Sequence, residues 1–469
     1  MFEIITMALQ ILAFLIIGYM FVVMLFYIVM FFISAFQLRS QYELNEKDIY
    51  EEMAESIDTK PISIIVPAFN EEVGIYSSVR SLLSIHYPEY EIIVVNDGSK
   101  DNTLQEMIER FQMKKVNQIV KQSIASKEVH AIYQSTLYDY VYLVDKSNGG
   151  KADALNAGIN IARFPYICSL DGDSVLERDA FLKVMKPIID SNEQVIATGG
   201  SIRIANDCII ERGELMEVRL SKRPIVVMQV IEYLRAFLLG RVGLSKHNLL
   251  LIVSGAFGVF HKEWVIKAGG YAPNTVGEDM ELVVRLHRLI KEGNYNHRIE
   301  YIPDPVCWTE APESIKILRR QRSRWQRGLF ESLWLHRNML FNRKYGNVGL
   351  VSMPFFLFVE LLGAVVEFFG YLLVVFGIFT SFIYVELAIL LFMMTFLYGS
   401  ILSMTAVLLE EWSLRKYKKA TDIIRLFLYS LTEAFWYRPL TVLWRCEGLL
   451  QVFSKKKQWG EMTRKGISK

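Results

Sequence analysis

Ile62-Ser63-Ile64-Ile65-Val66-Pro67-Ala68-Phe69-Asn70-Glu71-Glu72 decides how this chain is read. A short run of apolar, largely β-branched residues ends abruptly at Asn and two acids, the pattern of a buried strand that opens into a polar loop. Glu91–Asp97, Tyr140–Lys146 and Tyr166–Leu170 repeat the pattern, and Glu72–Ser84, Thr103–Phe111 and Ala152–Ala162 between them carry helical spacing. Strands alternating with helices predict a largely parallel sheet with crossover helices. Ligands of such sheets bind outside the carboxyl ends of the strands, and three acidic motifs fall at those ends here.

Outward from this region the composition changes. The chain has 469 residues, 52% hydrophobic and 22% charged, with long stretches nearly free of charge and the charges crowded in the middle. That distribution excludes a simple soluble enzyme, a disordered chain and a pure membrane bundle. A net charge of +2 gives no pull toward nucleic acid. Cys168, Cys208, Cys307 and Cys446 lack CxxC or Cys/His metal spacing, which suits a reducing compartment. Ile4–Phe36 is long enough to span a bilayer, and the segment before it has Glu3 and no Lys or Arg, unlike a signal peptide. Arg39 after the span places the next segment in the cytoplasm and the amino terminus outside. Val348–Ser381 and Phe382–Leu409 each read as a span, and the basic loop before Ile423 reads as cytoplasmic. Ile423–Phe453 is apolar but interrupted by Glu433, Arg438, Pro439 and Arg445, which predicts a tight or re-entrant helical hairpin, with the basic tail Lys455–Lys469 inside.

Five motifs carry chemistry, each beside a blander reading. Asn96-Asp97-Gly98 is by itself a turn signal, but Asp97 closes a buried strand, where a carboxylate can accept a hydrogen bond from a base or ribose. Gly149-Gly150-Lys151-Ala152-Asp153 opens a helix whose amino terminus favours phosphate, or is an ordinary loop-to-helix cap. Asp171-Gly172-Asp173 aims two carboxylates the same way from extended backbone, which suits Mg²⁺ or Mn²⁺ on a diphosphate; a lone pair of this kind is common on surfaces. In Gly277-Glu278-Asp279, Asp279 fits a general base, or the acids merely favour a helix amino terminus. Gln321, Arg324 and Trp325 share one face of a basic helix, where Arg324 fits a phosphate and Trp325 a sugar ring. The other arginines of that stretch, Arg319, Arg320, Arg322 and Arg327, fit a helix lying on anionic lipid.

In this order, between membrane spans, the motifs together are specific. The chain resembles the membrane-integrated family 2 glycosyltransferases, the group of hyaluronan, cellulose, chitin-oligosaccharide and poly-N-acetylglucosamine synthases. The resemblance covers Lys60 to Leu340 by motif and the flanking spans by layout. It implies a Rossmann-like α/β GT-A fold with an α-helical transmembrane region, a nucleotide-sugar donor with Mg²⁺ or Mn²⁺, and inversion at the anomeric carbon by direct displacement. Carried over, Asp97 and Asp153 contact the uridine and ribose of UDP, Asp171 lies near the diphosphate, Asp173 ligates the metal and Asp279 is the catalytic base. Gln321, Arg324 and Trp325 match QxxRW, which holds the diphosphate and borders the acceptor. Pro67, Asn70, Glu71 and Lys151 fall on the nucleotide side; Ser254, Gly255 and Glu278 join Trp325 on the acceptor side. Trp459–Lys465 resembles the tail of poly-N-acetylglucosamine-type synthases.

The implied layout is an N-terminal transmembrane helix at 1–37, a cytoplasmic GT-A domain at 46–312, an amphipathic interface helix at 313–345, membrane helices at 346–454 and a basic tail at 455–469. The implied protein is a multi-pass inner-membrane enzyme that polymerises a UDP-sugar, UDP-N-acetylglucosamine being favoured, into a β-linked polysaccharide and passes it across the bilayer. Its partners are the donor, a growing polysaccharide or lipid-linked acceptor and the lipid bilayer, with room for an accessory export subunit and none for nucleic acid. A non-processive transferase adding one sugar to a lipid carrier or membrane glycan, and a non-catalytic nucleotide-binding channel or sensor, are the alternatives. Two features depart from the family pattern or stay open. Gly172 stands where better-known synthases have Ala or Ser, and Cys208–Leu251 matches no synthase pattern, fitting an acceptor-site element or an interfacial insertion. Glu360 and Glu367, one heptad apart in a span, mark a polar path through the membrane or, alternatively, an interfacial acid and a paired one.

Overall fold

The computed structural model describes residues 2–42, 50, 53, 59–118, 120–211, 214–379 and 385–453. The boundary at 46, the junction of the two spans at 381–382 and the tail from 455 on lie outside the described residues. The chain opens with helix α1 (Phe2–Tyr42). Then follow β1 (Ile62–Ala68), α2 (Ile75–Leu82), β2 (Tyr90–Asp97), α3 (Thr103–Arg110), β3 (Met113–Val116), β4 (Val129–Ser135), β5 (Val141–Lys146), α4 (Lys151–Ile161), β6 (Tyr166–Leu170) and β7 (Ser174–Leu176). The apolar runs read from the sequence are these strands, buried because helices cover both faces.

Strands β5, β2, β1 and β6 form a parallel centre. The chain builds outward from β1 to β2 and β5, then returns to place β6 on the other side of β1. That reversal opens a crevice at the carboxyl edge, bounded by Asp97 at the end of β2 and Asp171 after β6. The flanks are antiparallel, which the sequence did not suggest: β3 and β4 add to β5 on one side. Beyond β7 come α5 (Ala180–Asp190), β8 (Val195–Ile204), the small hairpin β9 (Ile209–Glu211) and β10 (Glu214–Glu217), and α6 (Pro224–Leu234), which continues through a π-helical stretch, Arg235–Arg241. Strand β11 (Phe257–His261) then inserts antiparallel between β6 and β8. After α7 (Lys262–Ala268) and α8 (Glu278–Glu292), β12 (Arg298–Thr309) runs parallel to β8 and antiparallel to β7, closing a ten-stranded sheet.

Helix α9 (Ile315–Leu335) leads to the carboxy-terminal helices α10 (Gly363–Phe379), α11 (Val385–Ser413) and α12 (Ala420–Phe453). Three helical segments among the described residues are long and apolar enough to cross a membrane: Ile4–Arg39, Val348–Gly377 and Ile389–Ser413. The second holds π-helical turns on both sides of Pro354, whose missing N–H and bulky ring disfavour regular α-helix.

The predicted hairpin over Ile423–Phe453 is not formed. Ala420–Phe453 is one continuous 34-residue helix with Pro439 inside it. The charges that looked like breaks are points of attachment instead. Glu433 accepts from Arg235 at 2.8 Å, Arg438 grips Glu367 through two bonds of 2.8 and 2.7 Å, and Arg445 donates to Gln326 at 2.8 Å. Ion pairs also fasten the carboxy-terminal helices and the loop after α11 to the sheet domain. Arg203 at the end of β8 pairs with Glu410 of α11 at 2.5 Å, both nearly inaccessible. In the loop after α11, Lys416 reaches Glu177 at 3.0 Å and Lys419 reaches Glu217 at 3.1 Å. The basic loop is thus held on the sheet domain.

Candidate active site

The loops after β1 and β2 are tied into one rim. Pro67 lies opposite Val95 in register. Asn70, in the left-handed region (φ 55°), donates its N–H to Ser99 Oγ at 3.0 Å and accepts from the Lys100 N–H at 2.8 Å. The Glu71 N–H donates to Thr103 Oγ1 at 2.8 Å. Behind the rim, Lys146 ends β5 opposite Asp97. Its side chain is fully buried, and its ammonium lies 2.6 Å from both Asp97 Oδ1 and Asp153 Oδ1. Asp97 also accepts from Asn148 Nδ2 and from the N–H groups of Gly149 and Gly150. Asp153 accepts from the Lys127 N–H. Sequence reasoning passed over Lys146; the signal was a lysine closing a strand at the position where its neighbour ends in Asp97.

Asp171 marks the other side of the crevice. Its N–H donates to Ala256 O at 3.1 Å, which draws Ser254-Gly255-Ala256 alongside. Lys151 Nζ pairs with Asp171 Oδ1 at 2.5 Å, donates to Gly255 O at 2.9 Å and lies 3.9 Å from Glu278. Counted from sequence with the nucleotide side, Lys151 thus stands between the Asp171 loop and the Glu278-Asp279 turn. Burial alone would lower its pKa, but the carboxylates of Asp171 and Glu278 outweigh burial and raise it. Burial pushes the Glu278 carboxyl up to about 7 against the pull of Lys151, with Asp279 adding to the rise. Asp279, in the first turn of α8, accepts from the Met280 N–H at 2.8 Å. Gly255 is required by proximity: a Cβ there would lie 2.8 Å from Asp279 Oδ2.

These groups line one cavity of about 630 Å³. Its lining includes Lys151, Asp171 and Asp173, the residues Ser254, Gly255, Glu278 and Asp279, and Gln321, Arg324 and Trp325 of α9. Phe356 and Glu360, in the helix Val348–Gly377, line it as well. Pro67, Asn70, Glu71, Asp97 and Asp153 lie outside this lining, at the strand edge. The unassigned segment Cys208–Leu251 supplies Glu232, Tyr233, Phe237 and Arg241 to the wall. Tyr233 lies 6.4 Å from the half-exposed Trp325 ring, centroid to centroid. Burial, helped by Glu232 and Asp173 and opposed by Arg322 and Arg241, raises its phenol to about 12.

The lipid-facing reading of the α9 arginines fails for two of them. Arg322 is buried, bonded to Glu232 Oε2 and Gln321 Oε1 at 2.6 Å each, with its guanidinium 4.2 Å from the Trp325 centroid. Arg327 is buried against Glu331 at 2.8 Å. Arg319 is exposed but paired with Glu447. Of the membrane acids, Glu367 is paired with Arg438, and Glu360 accepts from the Tyr27 hydroxyl at 3.1 Å, within 3.9 Å of Arg445.

Among the described residues no three His, Cys, Asp or Glu side chains converge to cage a metal. Mg²⁺ and Mn²⁺ are commonly held by one or two carboxylates, with substrate phosphates and water completing the shell. Asp173, lining the cavity beside Asp171, fits that donor set.

A ten-stranded sheet with an acid-lined crevice at its switch point, beside apolar helices, is an α/β architecture of the nucleotide-binding kind. The description of glycosyl transferase family 2 matches residues 63–215, and that of glycosyl transferase family group 2 matches residues 166–402, half of the chain. The chain belongs to the family 2 glycosyltransferases. Poly-beta-1,6-N-acetyl-D-glucosamine synthase of Staphylococcus epidermidis is 30% identical over 274 residues, 58% of this chain and 55% of the relative. The synthase of the same name from Staphylococcus aureus (strain COL) is 29% identical over 301 residues, 64% and 60% of the two chains. The match thus spans little more than half the length of these relatives. Among solved structures, the mannosyltransferase PcManGT from Pyrobaculum calidifontis, in complex with GDP-Man and Mn²⁺, covers 97% of this chain and 100% of its own, with a TM-score of 0.51 at 14% identity. That likeness is one of fold, and the GT-A architecture is the observed one.

Proposed function

We propose that the chain is a membrane-embedded, inverting synthase that extends a β-linked polysaccharide from a UDP-sugar at the cytoplasmic face and passes the product outward. The observation that carries the proposal is that one cavity is lined both by Asp171, Asp173, Asp279 and Trp325 and by Phe356 and Glu360 of an apolar helix. The relatives named for poly-N-acetylglucosamine favour UDP-N-acetylglucosamine as donor.

In this reading Asp97 and Asp153, held together by Lys146, receive the uridine. Asp173 would hold Mg²⁺ or Mn²⁺, which when bound neutralises charge on the leaving diphosphate. Arg324 and Gln321 bind that diphosphate, and Trp325 with Tyr233 offers aromatic faces to the acceptor sugar. Asp279 takes the proton of the acceptor hydroxyl. The hydroxyl oxygen attacks the anomeric carbon opposite the departing UDP, and configuration inverts.

The test is UDP release by protein in lipid nanodiscs with Mg²⁺ or Mn²⁺, donor by donor, with the product sized on a gel. One productive UDP-sugar and a long product are expected. A single-sugar adduct would replace synthesis by single addition, and no turnover would favour the non-catalytic alternative. Asp279→Asn should abolish transfer and retain UDP binding; polymer made by that variant would remove Asp279 as base.

A further inference from the structure

The functional stripe of α9 does not stop at Trp325. Gln321, Arg324 and Trp325 continue at spacings of three and four residues into Gly328, Glu331, Ser332 and, just past the helix end, His336. Each of these later residues touches the segment that carries Asp279. Glu331 Oε2 accepts from Thr275 Oγ1 and from the Val276 N–H, both at 3.0 Å, while its other oxygen accepts from Arg327 at 2.8 Å. Gly328 meets Gly277 backbone to backbone, so closely that a Cβ on either would lie 2.9 Å from the other's Cα. The Ser332 hydroxyl lies 3.4 Å from Gly277 O, and His336 Nε2 lies 3.0 Å from Glu281 Oε1 one turn into α8.

Asp279 sits in the first turn of α8, so its direction is set by the turn before it, Thr275-Val276-Gly277. That turn is fixed by a helix that also presents Arg324 and Trp325 to the cavity. We propose that Glu331, supported by the Gly328–Gly277 contact, is a positioning residue for the base, and that α9 acts as a ruler between Asp279 and the residues bordering donor and acceptor. The proposal rests on the reading of Asp279 as base. Glu331 touches no reacting atom. It keeps the Asp279 carboxylate in line with the acceptor hydroxyl, so losing it penalises transfer to the acceptor more than donor cleavage by water, which needs no such alignment.

The experiment measures, in one nanodisc sample, total UDP released and sugar built into product, with calorimetric UDP binding and a thermal midpoint for each variant. For Glu331→Ala, sugar incorporated per UDP released should fall about tenfold or more, the scale of a sub-ångström to 1 Å misplacement of a reacting group, with UDP binding kept. Glu331→Gln should restore most of the ratio, because its carbonyl oxygen can accept the same two bonds. Thr275→Val, which removes one of those bonds and little volume, should fall between, and it carries the test if Glu331→Ala does not fold. A ratio unchanged in Glu331→Ala and Thr275→Val, whatever the total rate, would reduce Glu331 to a structural clasp and overturn the proposal. Asp279→Asn runs beside them. If it still builds polymer, the base assignment fails and this inference falls with it; if it is inactive while the Glu331→Ala ratio is unchanged, only this inference fails.

Discussion

Replacing Lys146 by Met removes the ammonium that lies between Asp97 and Asp153. Both carboxylate oxygens lie 2.6 Å from Nζ, with side-chain exposures of 4% for Asp97 and 11% for Asp153. They therefore stand within about 5 Å of each other, and at an effective dielectric of about 20 two like charges at that distance repel by about 3 kcal/mol. Breaking a buried pair from one side costs about 3–5 kcal/mol in general. Asp97 keeps Asn148, Gly149 and Gly150 as donors, so the loss falls on Asp153 and belongs at the low end. About 3 kcal/mol lowers the unfolding midpoint of a domain of this size by about 6–12 °C. The nucleoside end should loosen as the two acids move apart. Thermal unfolding in nanodiscs and calorimetric UDP titration read both effects, and Lys146→Met/Asp153→Asn should recover part of the midpoint by removing the repulsion. An unchanged midpoint and UDP affinity in Lys146→Met, or a double variant no more stable than the single one, would refute the reasoning.

Two other predictions follow from the cavity wall. Gly255→Ala places a Cβ 2.8 Å from Asp279 Oδ2 and 3.6 Å from Lys151 Nζ; the carboxylate must retreat by roughly half an ångström, and transfer should slow about tenfold with UDP binding intact, so a wild-type rate would argue against the close approach. Glu278 has a folded-state carboxyl raised to about 7 by burial, against Lys151 and with Asp279; the stability its neutral form contributes is complete below the unfolded value near 4.3 and is lost as pH rises through 7. Unfolding midpoints measured from pH 5 to 8 should therefore fall less in Glu278→Gln than in the wild type, and parallel curves would count against a buried, proton-holding Glu278.

The parallel centre of the sheet was legible because each strand is a local pattern, an apolar run cut off by a polar residue. Asp97 and Asp171 stood out for the same reason, since each directly ends or follows such a run, while Asp279 was read from the Gly277-Glu278-Asp279 motif at a helix start. The antiparallel flanks were not legible. Strand β4 is mostly half-buried, with only Ile132 and Ser135 buried, and the insertion of β11 between β6 and β8 is a tertiary fact with no local signature. Lys146 carried no local signal of its role, because only strand pairing sets it opposite Asp97. Arg322 and Arg327 looked like lipid-facing cations because their acids lie elsewhere, Glu232 ninety residues earlier and Glu331 on the next turn. The same blindness to distant partners turned Glu433, Arg438 and Arg445 into apparent breaks in what is one helix.

The pairing of Arg203 with Glu410 sets an order on biogenesis. The two residues are 207 positions apart, so the ribosome releases the strand that carries Arg203 long before it makes the acid that neutralises it. Until α11 is threaded into place, the end of β8 holds a cation that burial would penalise by several kcal/mol. The sheet domain can form its parallel centre early, but its far edge matures only when the closing helices dock. A fragment cut after α9 would preserve every residue proposed for chemistry and still keep a charge at its edge with the counter-ion removed.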